Sequence, residues 1–159
     1  MMLVTTDIAE FCAALPARGA LFGLDPGSKT IGIAVCDAQW RIASPLLGLR
    51  KAKFSRNGAE IADLVSRNGV KGLVVGLPLN MDGTTGPSAQ AARSFARNLA
   101  GLLDLPVLLW DERLTTAAVT RGMIEADTSR RKRAEIVDKI AASYILQGAL
   151  DAIAARRAD

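Results

Sequence analysis

Over the first fifty residues apolar positions fall in short runs broken by turn residues; beyond them, helical spacing alternates with short, wholly apolar runs. Ile8, Phe11, Cys12 and Leu15 share one helical face, predicting a short amphipathic helix over 6–15 capped by Thr6 or Asp7 and ended by Pro16 and Gly19. Three β-like runs follow at Ala20–Asp25, Thr30–Asp37 and Trp40–Leu49. The first two are joined by Pro26-Gly27-Ser28-Lys29. Links this short favour an antiparallel meander, because a parallel pair needs a longer crossover. Residues 57–67 then suit a helix with Asn57 and Glu60 at capping-box spacing. Lys71–Gly76 is a buried-strand run, 88–103 a helix, Pro106–Trp110 another buried strand, 116–125 a helix and 134–156 a long terminal helix.

A meander followed by alternating helix and strand predicts an α/β class with a five-stranded mixed sheet flanked by helices. At 159 residues the chain has one domain's worth of core. The expected division is a helical extension over 1–19 and one domain over 20–159.

Composition narrows the chemistry more than the class. There is no histidine in the chain. That removes Ser-His-Asp and Cys-His catalysis, histidine bases and histidine-ligated metals together. Two cysteines, Cys12 and Cys36, cannot complete a structural zinc site and read as reduced thiols. Carboxylates, lysine, hydroxyls or a bound cation must therefore do any catalytic work, and hard oxygen donors point to magnesium or manganese. The net charge of +4 is compatible with a phosphate-rich partner and carries little weight alone. Aromatic residues are only 4% of the chain, so nucleic-acid contacts are expected to fall mainly on backbone and shape rather than on stacked bases. The first residues do not read as a signal peptide, and no apolar run is long enough to span a bilayer. The expected location is the cytoplasm, with no membrane partner.

Three acids stand out. Asp25 ends an apolar strand and precedes Pro26-Gly27, which presents it at a sheet rim; the same residues also read as an ordinary hairpin turn. Asp111 and Glu112 end the strand before Arg113, and period-two alternation points them to opposite faces, so only one can share a face with a given partner. Asp138 sits on the terminal helix above Ala141, Ala142 and Ile145, small residues that let the helix lie close to the sheet. It could equally serve the helix macrodipole. Two acids from separate strands and one from a helix, aimed at one rim, can hold two divalent ions about 3.5–4 Å apart for phosphodiester hydrolysis without histidine.

Further stretches are Val74-Val75-Gly76-Leu77-Pro78-Leu79-Asn80-Met81-Asp82-Gly83-Thr84 with Gly86-Pro87, then Asp111-Glu112-Arg113-Leu114-Thr115-Thr116, then Val137-Asp138 with Ala141, Ala142, Ile145 and Leu146. In order and spacing, residues 21–151 resemble the YqgF family, also described as RuvX-like Holliday junction resolvases. The resemblance implies a ribonuclease H-like fold, a nuclease acting in 5′-end processing of precursor 16S ribosomal RNA or on branched DNA, and Mg²⁺ or Mn²⁺ as cofactor. By position it sets the acidic triad on Asp25, Glu112 and Asp138. A second helix acid, present in the RuvC resolvases, would have to be Glu135. Lys29, Asn80, Arg113 and the run Arg130-Arg131-Lys132-Arg133 are the candidate phosphate contacts, although a charge run also reads as a solvated face. The protein is expected to act as a monomer or homodimer. Two other readings remain open: a non-catalytic nucleic-acid- or protein-binding module on the same fold, and a kinase-like phosphate loop at Asp25-Pro26-Gly27.

Overall fold

The computed structural model describes residues 3–114 and 130–157; the side chains of residues 130–136 lie outside that description. The elements run β1 (Val4–Thr5), α1 (Ile8–Ala14), β2 (Ala20–Pro26), β3 (Thr30–Cys36), β4 (Ala43–Arg50), α2 (Phe54–Asn68), β5 (Val70–Leu77), α3 (Pro87–Leu103), β6 (Val107–Asp111), a 3₁₀ turn (Glu112–Leu114) and α4 (Arg130–Arg157). The helix expected over 116–125 lies outside the described residues.

One mixed sheet carries the strands in the order β1-β6-β5-β2-β3-β4. β2, β3 and β4 form the expected antiparallel meander, while β2–β5, β5–β6 and β1–β6 are parallel. The sheet has six strands rather than five. The extra one, Val4–Thr5, is too short to show any periodicity, and it is a strand only because the edge of β6 offers Val107 and Leu108 as partners.

Each face of the sheet has its own core. Phe22, Leu24, Ile31, Ile33, Leu73, Val75 and Leu109 point to one side, where α2 and α3 cover them with Ile61, Ala92, Ala96 and Leu99. The alternate residues Leu21, Ala34, Cys36, Val74 and Leu108 point to the other side, against Phe11 of α1 and Ala142, Ile145, Leu146 and Ala149 of α4. The buried thiol of Cys36 accepts the Leu21 N–H, and burial pushes its pKa up to about 11, so it stays protonated; both cysteines are free.

Several boundaries shift for local reasons. α2 begins at Phe54, three residues before the expected start. Asn57 is no cap: its buried amide accepts the Ala52 N–H and donates to the Arg50 carbonyl and to Glu60, tying β4 to the helix. Trp40 is not a strand residue. It sits in a turn at φ 59°, with its indole N–H donating to the Gly19 carbonyl and the Arg157 guanidinium 4.2 Å above its ring. α4 includes Arg130–Arg133, which places the basic run on the helix itself rather than ahead of it.

Candidate active site

The parallel strands β2, β5 and β6 end at the same edge, and the alternation that sorts the two cores also decides which end residues share a face. Gly23 lies under Leu146 of α4, so Asp25, two residues on, belongs to the same face. One step beyond the Leu24–Val75 pair, Asp25 runs beside Gly76 of β5. A side-chain carbon on Gly76 would stand 2.8 Å from Glu112 Oε1 and 2.6 Å from Ile145 of α4. Glu112 therefore folds back from its 3₁₀ turn over the end of β5, one strand spacing of about 5 Å from the strand bearing Asp25.

Asp138 arrives from the helix. On the other side of Asp25, its ladder partner Gly32 lies so close to α4 that an added Cβ would fall 1.9 Å from the Asp138 carbonyl oxygen. Only a residue without a side chain lets backbone meet backbone there. Asp138 Oδ2 accepts the Thr30 hydroxyl and stands 2.7 Å from where a Gly27 Cβ would be. Glu112, Asp25 and Asp138 thus follow one another, in that order, along one edge of the sheet on the α4 face. All three are buried, at 5%, 7% and 9% exposure.

Buried carboxylates need compensating partners. Among the described residues no group of three or more Asp, Glu, Cys or His side chains is gathered closely enough to hold a metal ion as it stands. The donor chemistry nevertheless fits a hard divalent cation: three carboxylates and a threonine hydroxyl, in a chain without histidine, beside glycines whose missing side chains let Glu112 and Asp138 come in close. Below the rim, among the described residues, the buried Trp110 Nε1 has no hydrogen-bond partner.

The neighbouring acid behaves differently. Asp111 ends β6 and takes the Arg113 guanidinium through Nε at 3.1 Å and Nη2 at 2.8 Å, with the Arg113 N–H at 2.9 Å, while Glu112 turns toward Gly76. This pairing holds the Asp111 carboxyl below the usual aspartate range and raises Arg113. Arg113 Nη1 also donates to the Met81 carbonyl at 3.1 Å. The pair brackets Glu112 and straps the 78–86 loop to the end of β6.

Within that loop Asn80 donates to the Thr84 hydroxyl, Asp82 accepts from the Thr84 N–H and hydroxyl, and Gly83 turns with φ 88°. Met81 stands 88% exposed at its tip. Lys29 is exposed on the turn after Asp25. The Arg130–Arg133 backbone lies on α4 one to two turns before Asp138, and the side chains there and at Glu135 are outside the described residues. Sequence reasoning missed the close-approach role of Gly32 opposite Asp138. Of the two roles open to Arg113 from its place beside two acids, neutralising a carboxylate or gripping a phosphate, the structure shows the first, on Asp111.

The fold and rim together define a RuvC-like, ribonuclease H-like α/β protein. Thermus thermophilus RuvC, solved in complex with a Holliday junction substrate, shares this fold with a TM-score of 0.54 at 16% identity, over 86% of this chain and 96% of that one. The family model described as "RuvX: Holliday junction resolvase" matches residues 19–152, and the chain belongs to that family. Its relatives include proteins named "Putative pre-16S rRNA nuclease". One from Cereibacter sphaeroides is 55% identical, covering 94% of this chain and 93% of the relative. One from Sphingopyxis alaskensis is 57% identical, covering 95% and 99%.

Proposed function

We propose that this protein is a divalent-metal-dependent nuclease that trims the 5′ end of precursor 16S rRNA in the cytoplasm, with Asp25, Glu112 and Asp138 as its catalytic, metal-holding carboxylates. What supports this reading is that three buried acids come to the same end of the sheet: Asp25 near the end of β2, Glu112 over Gly76 of β5, and Asp138 beside Gly27 and Thr30. The names of the relatives support RNA as substrate. The family description and the RuvC fold favour a second reading in which branched DNA is cut by the same rim.

Magnesium or manganese, two ions in a full site, would supply Lewis acidity for phosphodiester hydrolysis at neutral pH. The chain's own residues do the rest. Asp25, Glu112 and Asp138 would hold the cations, and the Thr30 hydroxyl orients Asp138 by donating to Oδ2. The Asp111–Arg113 pair keeps the turn under Glu112 in place. Lys29, Asn80 and the cations of Arg130, Arg131, Lys132 and Arg133 bind the phosphate backbone, and Arg113 adds its charge at the loop edge. Residues 20–159 form the nuclease unit, active as a monomer or homodimer, and residues 1–19 are an extension whose β1 strand pairs with β6.

The test is cleavage of precursor 16S rRNA and of four-way DNA junctions, each with and without Mn²⁺. Metal-dependent cutting of the rRNA, abolished by Asp25→Asn with the fold retained, is expected. An Asp25→Asn protein that cuts at the wild-type rate ends the assignment.

A further inference from the structure

The same end of β2 has a second side. Pro26, directly after Asp25, and its ladder partner Ile31 form the floor of a cavity of about 290 Å³ beneath α2 and α3. Its walls include Lys51, Phe54, Phe95 and Asn98. The volume is at the low end of the ~300–1,000 Å³ typical of small-ligand sites, enough for one flat heterocycle.

Three observations narrow the occupant. First, the chain has four phenylalanines. Phe11 and Phe22 are fully buried, while Phe54 and Phe95 are half-buried and meet edge-to-face at this cavity, with centroids 6.2 Å apart and planes at 84°. Second, no acid lines the cavity, and exposed Arg50 at the end of β4 and Lys51 and Lys53 in the link to α2 lie beside it. Third, the Lys51 N–H donates to the Lys29 carbonyl at 2.9 Å, which stitches this basic link to the turn that follows Asp25. A line of cations therefore runs from the carboxylate rim to an aromatic-walled pocket. An aliphatic partner side chain would gain nothing from those cations; a polynucleotide uses both features.

We propose that this pocket receives one unpaired nucleobase of the strand whose phosphates cross the rim. Lys29, Lys51 and Lys53 hold the intervening backbone, the phenylalanines contact the base, and Asn98 meets its polar edge. The pocket then selects strands that can turn a base out beside the cleavage point. This rests on the nuclease reading for its substrate class, but its test does not depend on cleavage.

Short single-stranded RNAs and DNAs, each carrying 2-aminopurine at one position in turn, are titrated with the full-length Asp25→Asn protein in EDTA. One position should change its emission on binding, and comparison of the RNA and DNA sets reads out the preferred sugar. Adding Ala91→Phe or Ser94→Phe, both at exposed α3 positions lining the cavity, should abolish that change and weaken binding about tenfold or more, with the melting temperature kept. The pocket proposal is overturned if no position responds, or if both filled variants bind as tightly as their parent. If the otherwise wild-type filled variants cleave rRNA normally, the pocket fails and the nuclease stands. If wild-type protein cleaves nothing while filling still weakens binding, the nuclease reading fails and the pocket stands.

Discussion

The two faces of the sheet are built from alternate residues of the same strands, yet they are packed to opposite rules. Toward α2 and α3, β2 and β3 present Phe22, Leu24, Ile31 and Ile33, and the helices ride on bulky side chains. Toward α4 the same strands present Gly23 and Gly32, so the helix backbone comes down onto the sheet: an added Cβ at Gly23 would meet the Ala142 carbonyl at 2.7 Å. The first arrangement maximises apolar burial. The second gives up part of that burial to bring Asp138, a helix residue, level with two acids at strand ends. Close approach is thus what sets Asp138 beside Gly27 and Thr30.

The strongest way to sharpen this contrast is to remove the acids without touching the packing. Asp25→Asn and Glu112→Gln should each lower metal-dependent cleavage roughly a thousandfold, about 4 kcal/mol of transition-state stabilisation. Circular dichroism should remain unchanged, and retention of even a tenth of the activity by either variant would argue against a shared site. Gly32→Val attacks the approach itself. With the Asp138 carbonyl 1.9 Å from the new Cβ, α4 must shift, at a cost of about 3 kcal/mol or more in urea unfolding, and cleavage should fall with it. Ile33→Val, one residue along and on the opposite face, should cost only ~1 kcal/mol and leave cleavage intact. If the two substitutions behave alike, the faces are not specialised as described.

The clamp at the end of β6 predicts smaller effects. Arg113→Ala should reduce kcat about tenfold through disorder under Glu112. If its guanidinium stays engaged with Asp111 and the Met81 carbonyl, the salt dependence of RNA binding should not change; a slope shallower by about one unit would make it a phosphate contact instead. Because Arg113 depresses the Asp111 pKa, the pair's contribution is full above the ordinary aspartate pKa of about 3.9 and is lost as pH falls through the lowered value. The melting-temperature gap between wild type and Asp111→Asn should therefore be present at neutral pH and close in acid.

Much of this was legible in the linear pattern, and two of the exceptions share a cause. The meander, the two buried strands and the long terminal helix follow from local periodicity and turn residues. Each acid was visible as an anomaly: a carboxylate at the end of an apolar strand, or one above small residues on a helix. The β1 strand and the turn at Trp40 were not legible, since each depends on a partner distant in sequence, the β6 edge and the Gly19 carbonyl; the start of α2 was misplaced because Asn57 is spent on the end of β4 rather than on a cap.

Period-two alternation predicted that Asp111 and Glu112 would part company, and they do, although β6 ends at Asp111 and the 3₁₀ turn, not the strand, sends Glu112 over Gly76. Alternation could not say which of the two would join Asp25. That was decided when the parallel register set Gly76 beside Asp25 and the bare backbone of Gly32 let α4 descend. Strand direction and helix height are properties of packing between elements, and no window along the chain contains both partners.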